Sequence, residues 1–261
     1  MTETLSLRAK IEQSPMGAYQ WMIVVMAAIM NLLDGFDVLA LAFTATAIRS
    51  EFGLTGIELG YLLSAGLFGM TAGSLFLAPL ADKIGRRPLL LMAVSLSAIG
   101  MLGSAFISQY QWLGFWRVIT GLGVGGILVG TNVITSEYSS RKWRSFAISV
   151  YAAGFGVGAV LGGMFAVMLQ GEYGWRSVFL AGAILTGLLL VVLFIWLPES
   201  IDFLTSKQPK NAEVRLNLIA KKIGLAGDWK LPAKVEKVKS KLPISQLFSE
   251  KYLHSTLLIW T

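Results

Sequence analysis

The sequence has 261 residues, of which 55% are hydrophobic and only 14% charged, where a soluble domain carries roughly a quarter charged residues. That balance excludes an ordinary water-soluble fold, and the absence of cysteine excludes disulfides and thiolate metal centres. A net charge of +7 would suit a nucleic-acid binder, but the placement of the basic residues excludes that class as well.

Six stretches reach the roughly 20 apolar residues that a bilayer core demands. They fall at about Trp21–Ala47, Glu58–Leu80, Pro88–Ile107, Trp112–Ser136, Ser145–Leu169 and Trp175–Leu197, and a seventh opens near Tyr252 before the chain stops at Thr261. An all-α membrane protein is therefore expected. Residues 1–20 would form a cytoplasmic N-terminus, 21–197 a six-span bundle, 198–251 a basic cytoplasmic linker, and 252–261 the start of an incomplete seventh span. The first stretch is too long for a signal peptide, lacks a small-residue cleavage site, and carries acids where such a segment is apolar. With the N-terminus cytoplasmic, nineteen Lys and Arg lie inside, only Arg49 and Arg176 lie outside, and Arg117 lies within a span. This is a strong positive-inside bias. The excess charge is topological: the expected partner is the lipid bilayer, not nucleic acid.

The first span contains "NLLDGFDVLALAF", which places Asp34 and Asp37 at membrane depth. Asp34 lies about 20 Å along the helix from Trp21, slightly beyond the midplane. At i,i+3 the two carboxylates share a helical face with Cβ atoms about 5–6 Å apart. In low dielectric such a pair should not stay doubly ionised and should exchange protons as a coupled unit. Gly35 between them permits close approach or local unwinding. Arg117, about 8 Å inside Trp112 on the fourth span, can reach inward, and guanidinium grips carboxylates bidentately. Asp34, Asp37 and Arg117 are thus expected to line one cavity. Charges at such depth are costly and functional by default, the bland alternative being an Asp–Arg pair that only locks helices together.

Glycines recur at intervals of four in the fourth span (Gly121, Gly125, then the small Val129) and the fifth (Gly154, Gly158, Gly162). Such spacing lets membrane helices approach closely. In the linker, Asn211 could cap a short helix with Val214, Leu218 and Ile219 on one side, ending at Gly224 and lying solvated or on the membrane surface. The sole histidine, His254, reads as an interfacial residue, and no nucleophile–base pair or metal-ligand cluster is present, so an enzyme is not expected.

Between the second and third spans, "ADKIGRRP" resembles the signature loop of the major facilitator superfamily, matching at Asp82, Lys83, Gly85, Arg86 and Arg87, with Ala78 in place of a leading Gly. "RVITGLGVGG", "SEYSSRKWRS", "GWRSVF" and "LPES" extend the likeness over all six spans in order. Within that superfamily "DGFD" is similar to the first-span motif of the aromatic acid:proton symporters. The resemblance implies the six-helix N-terminal bundle of that fold, built as two inverted three-helix repeats. It implies import of benzoate-, 4-hydroxybenzoate- or muconate-type acids across a bacterial inner membrane, with protons as the coupling ion and no cofactor or metal. Asp34 and Asp37 would couple the proton and, with Arg117, form the substrate path. Asp82, Gly85, Arg86, Arg87, Glu137 and Arg144 would serve the gate, with Glu137 pairing locally with Arg141 or Arg144. The plainer alternative for these charges is anchoring at the interface.

A complete carrier is expected to be monomeric and to need a second six-helix half, so this chain is expected to be the N-terminal half. The alternatives are another metabolite or sugar-type proton symporter, six-span units that pair, or a non-transporting membrane remnant. Sugar porters usually lack the first Asp and carry glutamines in span five that "SVYAAGFGVGAVLGG" does not have.

Overall fold

The computed structural model describes residues 7–225 and 227–232. The expected seventh span, its His254 and the linker beyond 232 lie outside the described residues. Nine helices are found among the described residues: α1 (Leu7–Gln13), α2 (Ala18–Phe52), α3 (Gly56–Ile84), α4 (Arg86–Ala105), α5 (Tyr110–Tyr138), α6 (Arg144–Tyr173), α7 (Trp175–Trp196), α8 (Ile201–Lys207) and α9 (Ala212–Ile223). Helices α2 to α7 are each long and apolar enough to cross a membrane, one for each expected span.

The helix ends follow from local chemistry. Gly53 stops α2 at φ 64, and Thr55 with Glu58 forms the capping box that starts α3. At two places a single residue both ends one span and begins the next: Gly85 (φ 104) and Gly174 (φ 76). Only glycine takes such backbone angles without strain.

The bundle repeats itself. The broadest helix contacts are α3 on α5 and α6 on α2, the second helix of each triplet crossing the first helix of the other. Both crossings are glycine seams. Gly69 and Gly73 of α3 abut the Val118 and Leu122 carbonyls, just as Gly154 and Gly158 of α6 abut those of Ala28 and Leu32. The third helices match as well: Arg87 Nη2 donates to the Phe194 carbonyl at 2.6 Å, and Arg176 Nη2 to the Ile107 carbonyl at 3.1 Å. Three crossings bring the chain into its second triplet from the opposite side. The fold is thus the six-helix bundle of two inverted repeats.

The buried apolar residues form two clusters. One holds Leu33, Val94 and Leu189 and extends to Leu7 and Ile11 of α1, Leu204 of α8 and Leu216 of α9. The other holds Phe36, Met101, Phe179 and Ala183. Asp34 and Asp37 fall where the clusters meet.

Two expectations for the linker are corrected. First, α9 does end at Gly224, but Asn211 sits at φ 61 and makes no side-chain cap. Second, the expectation of a solvated or membrane-surface helix with Val214, Leu218 and Ile219 on one side is corrected in its face: Ile219 turns inward. Helix α9 buries Leu216, Ile219 and Ala220, an i,i+3,i+4 stripe against the bundle, and leaves Val214 and Leu218 exposed. The packing partner, not the run of apolar residues, decides which face turns inward.

Charges tie α1 to its neighbours. Arg8 bonds Asp202 of α8, Arg144 Nη2 donates to Glu12 Oε1 at 2.6 Å, and the Arg141 amide donates to the Glu12 carbonyl at 3.0 Å. The Arg144 hydrogen bond, helped by the nearby charges of Arg8 and Arg141, holds the Glu12 carboxyl below its ordinary 4.5. A depressed folded-state value adds stability above the unfolded-state value, and that stability is lost as pH falls through the folded-state one. The pair is about one-third exposed, so the effect is small. Glu12→Gln is expected to lower stability by about 0.2–1 kcal/mol near neutral pH, with the difference vanishing well below pH 4.5. Denaturation of both proteins in detergent across that range measures it.

Candidate functional site

Helix α2 runs unbroken through its two acids. Gly35 faces the Phe155 carbonyl of α6 with no room for a Cβ, so its role is close approach rather than unwinding. One turn earlier, Asn31 Nδ2 donates to the Tyr151 carbonyl at 2.9 Å and fixes the same crossing. Together these hold Asp34 and Asp37 in place, 2% and 1% exposed.

The two acids have different surroundings. Asp37 Oδ2 accepts from Ser97 Oγ of α4 at 2.6 Å, while its Oδ1 is buried with no hydrogen-bond partner. Asp34 Oδ2 is likewise buried and unpartnered. Among the described residues no ion pair involves either one. A buried carboxylate oxygen without a donor is costly, and a proton, a water or a ligand would relieve it.

Arg117 of α5 is 3% exposed. The expected bidentate grip on a carboxylate is not what it makes. Nη1 donates to the Asp37 backbone carbonyl at 3.2 Å, and Nη2 to Ser104 Oγ at 3.3 Å, Thr120 Oγ1 at 3.1 Å and Met101 Sδ at 2.9 Å. The guanidinium carbon lies 4.9 Å from the centre of the Phe179 ring, a cation–π contact. Nε has no partner. Ser97 engages one oxygen of the Asp37 carboxylate, the other stays unpartnered, and Arg117 meets the main chain of α2 instead. A cation held by neutral acceptors keeps its charge available to an incoming anion.

Asp37, Arg117, Thr120, Gly66 and Met70 line one cavity of about 30 Å³, room for about two waters. The expectation of a shared cavity therefore holds for Asp37 and Arg117. Asp34 is not on its wall. Sequence reasoning missed Ser97, Ser104, Met101, Thr120 and Phe179. Ser97 and Ser104 left a signal, two hydroxyls seven residues apart on one face of the apolar third span. The others look like ordinary span residues.

At the α3–α4 turn, Asp82 pairs with Arg86 at 2.7 Å, one turn apart. Glu199, which follows α7, caps α4: its Oε1 accepts from the amides of Arg86 and Arg87 at 2.8 and 3.0 Å. The expected pairing of Glu137 with Arg141 or Arg144 does not form. Glu137 accepts from Ser200 Oγ and the Ile201 amide, both at 2.8 Å, and so caps α8. The chain leaves α5 at Tyr138, and Arg144 goes to Glu12 instead. Glu12, Glu199 and Ser200 were not foreseen as members of this cluster, because their partners lie more than sixty residues away.

A family model described as Major Facilitator Superfamily matches residues 27–261. The chain is 34% identical over 250 residues to a gallate transporter of Pseudomonas putida, covering 96% of this chain and 56% of that protein. It is 33% identical over 261 residues to the 4-hydroxybenzoate transporter PcaK of the same organism, covering 99% and 58%. The chain thus spans less than two-thirds of the length of these relatives. Among solved structures, the proton:xylose symporter XylE of E. coli superposes with a TM-score of 0.71 at 22% identity, covering 81% of this chain and 50% of that one. That likeness concerns the fold.

Proposed function

The chain belongs to the Major Facilitator Superfamily, and on that premise we propose that it forms the first bundle of a proton-coupled importer of aromatic or related carboxylic acids. The observation that carries this reading is the joint placement of Arg117 and Asp37 on one cavity, with Arg117 bound only by neutral groups and Asp37 keeping one oxygen unpartnered. The relatives named for gallate, 4-hydroxybenzoate, benzoate and cis,cis-muconate support the choice of cargo.

In this mechanism the carboxylate of the solute docks on Arg117, where charge-assisted hydrogen bonds replace its hydration. A cavity of about 30 Å³ cannot hold an aromatic ring, so the ring sits against a second bundle. A proton on Asp37, with Asp34 as the reserve acceptor, neutralises the loaded site. The site then reorients without dragging bare charge through low dielectric. The cluster of Asp82, Gly85, Arg86, Arg87, Glu137 and Arg144 serves the gate on the side where α1, α8 and α9 lie. That side faces the cytoplasm of a bacterial inner membrane, as the distribution of Lys and Arg favours, and the two-bundle carrier works as a monomer.

The test is uptake of labelled 4-hydroxybenzoate into cells making this bundle together with a complementary second bundle. Accumulation stimulated by external acid and competed by gallate or benzoate is expected. Membrane-inserted protein that accumulates none of these acids overturns the proposal.

A further inference from the structure

A second concave surface lies where the start of α2, the end of α7 and α9 meet beside the α3–α4 turn. It encloses about 250 Å³, and its wall includes Tyr19, Arg87, Trp196, Glu199, Arg215 and Lys222. Three cations face one acid, and the acid is already engaged: Glu199 Oε1 accepts from the amides of Arg86, Arg87 and Ser200. Among the described residues the cations meet only neutral groups, and none of the three takes part in an ion pair. Arg87 meets only the Phe194 carbonyl and ring, and its Nε is buried with no partner. The Lys222 ammonium rests 5.3 Å from the centre of the Tyr19 ring. Cations of one sign gathered in a concavity with low-dielectric walls concentrate the field for an anion.

The rim says what kind of anion. Ile195 and Trp196 on α7, 63% and 51% exposed, and Leu218 on α9, 56% exposed, border the same pocket. Ile195 and Trp196 sit at the end of a membrane-crossing helix, where headgroups meet acyl chains, and a tryptophan there is at home. A soluble phosphate would use the cations and leave the apolar rim bare. A phospholipid uses both.

We infer that this pocket binds the headgroup phosphate of an anionic phospholipid, with Arg87, Arg215 and Lys222 around the phosphate and Ile195, Trp196 and Leu218 along the chains. The inference is independent of which solute, if any, the protein carries.

Native mass spectrometry of the chain purified with equal phosphatidylglycerol and phosphatidylcholine tests it. Phosphatidylglycerol should be retained about fivefold or more over phosphatidylcholine, since one basic residue near a charged surface is worth about that factor. Arg215 and Lys222 are exposed on α9, so Arg215→Gln with Lys222→Gln should fold, as a single gel-filtration peak would verify, and should lose the preference. Lys207→Gln with Lys210→Gln removes the same charge outside the pocket and should keep it. Undiminished preference in the Arg215/Lys222 variant, or equal loss in the Lys207/Lys210 variant, overturns the inference. So does displacement of phosphatidylglycerol by excess inorganic phosphate, which would make the pocket a site for the free ion.

Discussion

Asp37→Asn, introduced into a two-bundle carrier containing this bundle, is expected to abolish the response of uptake to a pH gradient. One proton moving down one unit of pH supplies 1.36 kcal/mol. The unaltered carrier should therefore accumulate its acid about tenfold more for each unit by which the outside is acidified, per coupled proton. Asparagine matches aspartate in shape and can still accept from Ser97 Oγ, which lies 2.6 Å from Asp37 Oδ2, so the helix should stay in place. What disappears is the oxygen that takes up and gives back the proton. The accumulation ratio should settle near one at every external pH, while exchange of labelled for unlabelled solute continues. Filter-assay uptake and counterflow, run side by side, distinguish this from simple misfolding, and acid-driven accumulation by the Asn protein would remove Asp37 from the coupling role.

Gly158→Ala is expected to prevent the bundle from assembling. A Cβ at this position would clash with the Leu32 carbonyl oxygen and lie 2.6 Å from the carbonyl carbon, backbone atoms that cannot swing aside. Relief requires α6 to lift off α2, which also strips Gly154 from Ala28 and Asn31 from Tyr151. Overpacking of this kind costs about 3 kcal/mol or more, about a hundredfold in the ratio of folded to unfolded protein. Gly156 on the same helix has open space around it, and Gly156→Ala should be tolerated. Fluorescence-detected gel filtration of both variants from solubilised membranes reads the contrast. Equal recovery would show that the seam can open.

The part of this molecule written in sequence is the part set by local rules. Apolar length gives the six spans, while their ends, set by the Thr55/Glu58 box and the glycines at 53, 85 and 174, differ from the expected bounds. The acids of the first span and Arg117 stood out because bare charge at that depth is rare. The connections between them did not stand out. Arg117 meets the Asp37 main chain while Ser97 meets one carboxylate oxygen, a division that only the crossing of α2, α4 and α5 decides. Glu137 offered a nearby arginine by spacing, yet the turn after Tyr138 carried Arg144 to Glu12 and left Glu137 to cap α8. Likewise Ile219 and Leu218 are equally apolar neighbours, and only docking separates the buried one from the exposed one. Spacing predicts which side chains share a face, whereas long-range packing selects among the partners that face then meets.

The glycine seams have one more consequence. Backbone pressed against backbone at Gly35, Gly154 and Gly158 leaves no compressible layer between α2 and α6, so neither can slide or roll without the other. The acids of α2 are therefore carried on a backbone that is keyed directly into α6. In the proposed carrier, a seam of this kind would pass from one exposure to the other with its inner geometry intact.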